Sequence, residues 1–263
     1  VGTDSWSVGT VAGSVGRNPA LVYLADRLHL VWDAGSTIQY RRDNSVSDGD
    51  WTNNISQNWS FPSGYEDLGF PAIGASDNAL YVVWAAKKTG SEEYALAYDF
   101  SADHGISWWD AGGGDGRSIP GNNDVFTPLS SNSGVSYLDS LKPDVVVTGT
   151  GTSAHAHVVW HSQQSSGQDR HEVRYTYLAG SGGSWLYPPI NVSQNSVVDS
   201  GDPAIAVGIS ISQTGVVTHV VFMEDAGSSS AEVWYIGDND IRDNDENRNE
   251  GAIFLPLILK NSQ

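Results

Sequence analysis

An all-β architecture is predicted by three features of this 263-residue chain. Short runs rich in Val, Ile, Tyr and Trp alternate with clusters of Gly, Asp, Asn and Ser, the pattern of antiparallel strands and tight turns. No segment sustains an apolar period of 3.6 residues, so helix is not expected. One template then recurs in four segments at spacings of roughly 50 to 70 residues, the signature of a repeat architecture. Each copy opens on a proline (Pro19, Pro71, Pro143, Pro203) followed by an apolar run. A polar turn leads to a second run that closes on Trp32, Trp84, Trp160 or Phe222. A third, alternating run follows: TIQYRR, YALAYDF, EVRYTYL and EVWYIG.

Fourth strands are marked by Trp51, by Trp108 with Trp109, and by Trp185 leading into PPINVS. Repeats of four antiparallel strands predict a β-propeller with four recognisable blades, each sheet packing its face on the next. The excess length falls in Gly-, Ser- and Asn-rich insertions at 110–135 and 161–170, read as loops. The last copy lacks a fourth strand after Ile236, and the opening DSWSVGTVAGSVGRNPA has the form of that strand. The N-terminal strand is therefore expected to close the ring. The resulting division is a propeller over 1–236, an acidic spacer over 237–251 and an apolar C-terminal strand over 252–263.

Composition removes several function classes. The chain has no cysteine, which excludes disulfides, thiolate metal sites and cysteine nucleophiles. Thirteen basic residues stand against 31 acidic ones, and the net charge of -18 repels nucleic acid and anionic membrane surfaces. No apolar window is long enough to span a bilayer, so no membrane span is expected. The first residue is Val1, and few lysines with many small polar residues suit an exported protein whose leader has been removed. A secreted or cell-surface location is the expectation.

The segment SADHGISW, Ser101 to Trp108, resembles the Asp-box SxDxGxTW, with Ser107 where Thr is usual. With the PAIxV…G…HVVW…Y template it resembles the Asp-box, or BNR-repeat, propellers, the superfamily that includes sialidases. That resemblance implies a structural role for Ser101, Asp103, Gly105 and Trp108 on the outer part of a blade. Local chemistry agrees, because Asp103 can accept hydrogen bonds from turn amides and Gly105 permits positive φ. SVSDGDW and AGSGGSW are degenerate copies. Sialidase-type catalysis implies several clamping arginines, an acid and a carboxylate-activated tyrosine. The first blade has GRNPAL instead of a RIP-type motif, so no catalytic residue is assigned. Arg17, Arg41, Arg42 and Arg174 read as salt-bridging residues in or near strands.

Among so many acids some carboxylate pair suited to glycoside hydrolysis arises by chance. Asp67, Asp139 and Asp199 are less random, each four residues before a blade proline. They would form a partial ring near one face, read as caps of connector turns, with a cation or glycan site as the alternative. In the acidic spacer Asp243, Asp245 and Asn247 have EF-hand spacing, but Arg248 and Phe254 stand where Gly and Glu are needed. No cofactor is expected, with loose calcium binding left open. His29, His157 and His219 occupy matching positions in their second strands, as Tyr81 does, which favours packing. Trp32, Trp84 and Trp160 read as core.

The ending GAIFLPLILKNSQ resembles the LPLxLKN-type endings of bacterial secreted proteins. Alternation puts Ile253, Leu255, Leu257 and Leu259 on one face and Phe254, Pro256 and Ile258 on the other. Both faces are apolar, so the strand wants burial on two sides, and Pro256 suits an edge. The expectation is strand donation to a neighbouring copy, which joins copies of the chain head-to-tail. Docking on its own propeller and recognition by an export system are the competing readings. The function expected is thus a non-catalytic extracellular structural or adhesive propeller. The alternatives are a sialidase-like glycoside hydrolase or a carbohydrate-binding module, with glycans as partners.

Overall fold

Period-two burial builds four antiparallel sheets, and the computed structural model describes residues 16–43, 55–60, 65–90, 94–109, 138–163, 171–180, 189–193, 199–209, 216–225, 231–238 and 255–257. Blade 1 holds β1 (Arg17–Leu24), β2 (Arg27–Asp33), β3 (Thr37–Arg42) and β4 (Ile55–Ser60). Blade 2 holds β5 (Tyr65–Ser76), β6 (Ala79–Lys88) and β7 (Tyr94–Ser101). Blade 3 holds β8 (Leu138–Thr148), β9 (His155–Gln163), β10 (Glu172–Ala179) and β11 (Ile190–Asn191). Blade 4 holds β12 (Asp199–Ile209), β13 (Val216–Asp225), β14 (Ala231–Asp238) and β15 (Leu255–Leu257). Among the described residues the one helical element is a short 3-10 turn, Gly151–Ser153. The chain is an all-β propeller, as its repeat predicts.

Strands β1, β5, β8 and β12 are innermost and pack on one another in chain order. Blades 1 and 2 meet through Val31, Ile38, Tyr40 and Trp59 against Leu80, Val82 and Trp84. Blades 2 and 3 meet through Tyr81, Val83 and Phe100 against Val145, Val158 and Trp160. Val159, Val173 and Tyr175 of blade 3 cover Ile205, Val220 and Phe222 of blade 4. The aromatics that close the second run of blades 2, 3 and 4 are therefore core side chains. Burying each contributes about 1.5–3 kcal/mol gross.

The matching histidines are packing residues with a hydrogen-bonding partner. Nδ1 of His29 lies 2.8 Å from Tyr40 Oη, that of His157 2.8 Å from Tyr175 Oη, and that of His219 2.6 Å from Tyr235 Oη. In blade 2 the pair becomes Tyr81 against Phe100, with ring centroids 4.7 Å apart. Burial pushes His29 down to about 4, so it is neutral in the folded protein at neutral pH. The unfolded chain protonates this side chain below about 6.5. Its stabilising effect is therefore complete above that pH and is lost as pH falls toward 4, an expected loss of about 3 kcal/mol. Urea midpoints at pH 7 and pH 4 check this, and His29→Gln should flatten the difference.

Three expectations change. The C-terminal strand β15 pairs with β14 of its own chain, Leu255 opposite Tyr235 and Leu257 opposite Val233, as the fourth strand of blade 4. An edge strand needs a ladder partner, and the open side of β14 supplies one in cis. The predicted N-terminal closing strand lies outside the described residues, as do most of the acidic spacer and Ile253, Phe254, Ile258 and Leu259. The insertion placed at 161–170 starts later, since His161–Gln163 continue β9. Trp108 and Trp109 form no fourth strand; Trp108 is buried beneath the turn that follows β7.

Candidate functional site

All four innermost strands carry the same irregularity. In blade 1, Arg17 opposes Asp33 and Ala20 opposes Val31, so β1 takes one more residue than β2 over the same stretch. The shift recurs between Gly69 and Ala72, between Leu141 and Asp144, and between Gly201 and Ala204. The residue before each template proline sits in it: Asn18, Phe70, Lys142 and Asp202, with φ of 49, 52, 49 and 47°. Proline offers no N–H to the ladder, which makes a bulge its natural place within a sheet. Left-handed backbone at a non-glycine residue costs on the order of 1–3 kcal/mol and clusters at functional sites. The bulges stand at matching positions of the four inner strands and so form a partial ring around the propeller axis.

The ring is chemically uneven. Lys142 of blade 3 and Asp202 of blade 4 form an ion pair, both side chains about half exposed. In blade 1, Arg17 reaches Asp33 at 3.2 Å, and Asp33 also accepts the Gly35 N–H at 2.6 Å. Asp33 is buried and holds a turn, a structural duty.

Blade 3 departs from the template at one further position. The residue after the template proline is Ala20, Ala72 and Ala204 in three blades but Asp144 in the third. Asp144 accepts the Val145 N–H at 2.9 Å and, across the blade boundary, the Ile205 N–H at 2.9 Å. Burial pushes its carboxyl above the usual value, and the two N–H bonds only partly offset this. The boundary between blades 3 and 4 thus gathers a half-buried acid, Asp144, an exposed one, Asp202, and the Lys142 ammonium. Sequence reasoning missed Asp144, although the broken Pro-Ala repeat was there to be read.

Asp67, Asp139 and Asp199 are strand residues near the entry ends of β5, β8 and β12. Asp67 opposes Lys87 and Asp199 opposes Asp225 in the ladders. Their side chains lie outside the described residues. Among the described residues no group of three or more His, Asp or Glu side chains could hold a metal ion.

The turn after β7 is built by the residues read as an Asp-box. Asp103 accepts the N–H groups of Ile106 and Ser107 at 3.1 and 2.9 Å and the Ser107 hydroxyl at 2.5 Å. Burial alone would raise the Asp103 carboxyl, but these bonds outweigh it and hold it below the usual range. Ser101 Oγ accepts the Gly105 N–H at 2.9 Å. Gly105 adopts φ of 72°, and Trp108 inserts against Tyr40 and Trp59 at centroid distances of 4.8 and 5.0 Å. Arg42 donates to the His104 carbonyl at 3.1 Å. These residues bind blade 2 to blade 1, away from the mouth. Arg174 pairs with Glu172 in a buried position.

No family model matches the sequence, and no curated protein does. Solved structures do match. A mutant of Trypanosoma rangeli sialidase displaying trans-sialidase activity superposes with a TM-score of 0.55 at 14% identity, over 92% of this chain and 37% of that one. An α-L-arabinofuranosidase from Lactobacillus brevis gives 0.52 at 12% identity, over 92% and 73% of the two chains. The GH93 α-L-arabinofuranosidase of Fusarium graminearum gives 0.55 at 12% identity, over 92% and 66%. The fold shared with these structures is the β-propeller. The chain spans little more than a third of the sialidase and about two thirds of the Fusarium enzyme.

These matches overturn the expectation of a non-catalytic assembly component. The three propellers just described are a sialidase and two α-L-arabinofuranosidases. The segment expected to connect subunits instead pairs within its own blade 4.

Proposed function

We propose that the chain forms the propeller of a glycoside hydrolase whose site is the bulge-ringed mouth at the boundary of blades 3 and 4. The observation that carries this reading is the placement of Asp144, half-buried and bonded across the blade boundary to the Ile205 N–H, and of an exposed Asp202, bound to Lys142, on adjacent inner strands. Two carboxyl groups in unlike environments are the requirement for one to give a proton while the other stays charged. Asp144 donates a proton to the glycosidic oxygen as the bond to the anomeric carbon breaks. Asp202 supports the positive charge that develops on the sugar and acts on the opposite side, through a water molecule or by direct attack. The fold shared with sialidases and arabinofuranosidases supports the reaction class.

Charge selects the substrate. A protein of net charge -18 repels a sugar carboxylate, and Arg17 and Lys142 are each engaged with an aspartate. A neutral furanoside or pyranoside fits better than a sialic acid. The test compares a chromogenic α-L-arabinofuranoside and other neutral glycosides with a sialoside. Hydrolysis of a neutral glycoside, reduced at least about 100-fold in kcat by Asp144→Asn or Asp202→Asn, is expected. Loss of the alkaline limb of the pH profile in Asp144→Asn would separate proton donation from mere support of Ile205. Turnover of the sialoside alone, or equal activity in both variants, would sink the assignment.

A further inference from the structure

The four bulged residues differ in how well they suit the backbone they adopt. Asparagine and aspartate visit the left-handed region readily, because their short polar side chains bond locally, and Asn18 and Asp202 are of this kind. Lys142 suits it less, but its ammonium is engaged with Asp202 across the blade boundary. Phe70, at φ 52°, is the one large apolar side chain among the eight described non-glycine residues with positive φ. For a bulky residue this backbone is an outlier. Burial does not account for it, since Phe70 packs on the core between blades 2 and 3 yet stays only partly buried. Strain of this kind persists only where the surrounding structure holds it, and it clusters at ligand-binding positions.

Polar groups flank Phe70 on both sides. Toward blade 1, the preceding Gly69 lies against Asp33, for a Cβ there would stand 3.8 Å from Oδ2, and Asp33 holds Arg17 at 3.2 Å. Toward blade 3, the matching position of the ring is Lys142, bound in turn to Asp202. A largely apolar surface with a few placed polar groups is the composition of a small-molecule site. A sugar ring carries both complements. Its C–H face, weakly positive, lies on the negative face of an aromatic ring, while its hydroxyls turn to the flanking charged groups. We infer that Phe70 is the stacking platform of this site and selects a neutral cyclic sugar with a continuous C–H face. The inference rests on the hydrolase reading for the place of the sugar and adds the residue that chooses it.

The experiment separates binding from turnover. Saturation-transfer NMR and calorimetric titration of the 263-residue chain use methyl α-L-arabinofuranoside, methyl β-D-xylopyranoside and methyl β-D-galactopyranoside, with acyclic arabinitol as the control. At least one glycoside should bind and arabinitol should not. Phe70→Asn, which copies the residue blade 1 has at this position, and Phe70→Leu, which keeps apolar packing without a ring, should each raise Kd at least about 10-fold. Phe70→Tyr should bring Kd back to within about threefold of the parent value. The Tm of Phe70→Asn should move by less than about 4 °C, because relief of the strained backbone offsets lost packing. That pattern without any hydrolysis would support the platform and sink the hydrolase reading alone. Hydrolysis with kcat/KM unchanged in Phe70→Asn would do the reverse. No glycoside bound by the parent chain, arabinitol bound as well as the glycosides, or a leucine variant as good as the parent also overturns the inference.

Discussion

Gly105→Ala is expected to cost roughly 3–5 kcal/mol, among the largest effects of a single added methyl group in this protein. A Cβ at position 105 would stand 1.9 Å from Tyr40 Oη and 2.8 Å from its ring, with the backbone at φ +72°. Neither neighbour can give way easily. Tyr40 is fully buried and its hydroxyl is bound to His29, while the turn is held by Asp103 and Ser101. Local strain and the clash therefore add, and the damage spreads to the blade 1–blade 2 interface. Urea denaturation of the purified variant measures it. Asp103→Ala makes the useful comparison, because it removes exposed turn bonds without touching Tyr40 and should cost only about 1–2 kcal/mol. Similar losses in the two variants would mean that the turn matters and the close approach to Tyr40 does not.

How far the sequence could be read depends on which interactions are local. Strand runs, their alternation and the four-fold template are properties of consecutive residues, and the propeller followed from them. The equivalence of His29, His157 and His219 also carried through, because matched positions in a repeat meet matched environments. The bulges were not legible. Asn18, Phe70, Lys142 and Asp202 look unrelated, and the shift they share exists only in the pairing of β1, β5, β8 and β12 with their neighbours. Asp144 was visible as a broken repeat, but its meaning depends on Ile205 across a blade boundary. The tail misled for a related reason. Its apolar alternation specifies an edge strand without saying whose edge, and β14 was the nearest one open.

Trp59→Ala should be comparably damaging, because Trp59 ties the outer strand of blade 1 to the third strand of blade 2. The indole is fully buried, with ring centroids 5.4 Å from Trp84 and 5.0 Å from Trp108. Its Nε1–H donates to Asp99 Oδ2 at 2.7 Å, inside the protein. Truncation removes a large aromatic contact and one donor to a buried carboxylate together, for an expected loss of about 3–5 kcal/mol. Trp59→Phe separates these contributions, since it keeps most of the apolar surface and loses the N–H; leaving a buried acceptor unsatisfied costs roughly 1–3 kcal/mol. Thermal or urea unfolding of both variants decides between them. A phenylalanine variant as stable as the parent would mean that Asp99 is satisfied without the indole. One as damaged as the alanine variant would place the outer tie between the blades in a single buried hydrogen bond, and the aromatic cluster around it would then be filling space around that bond.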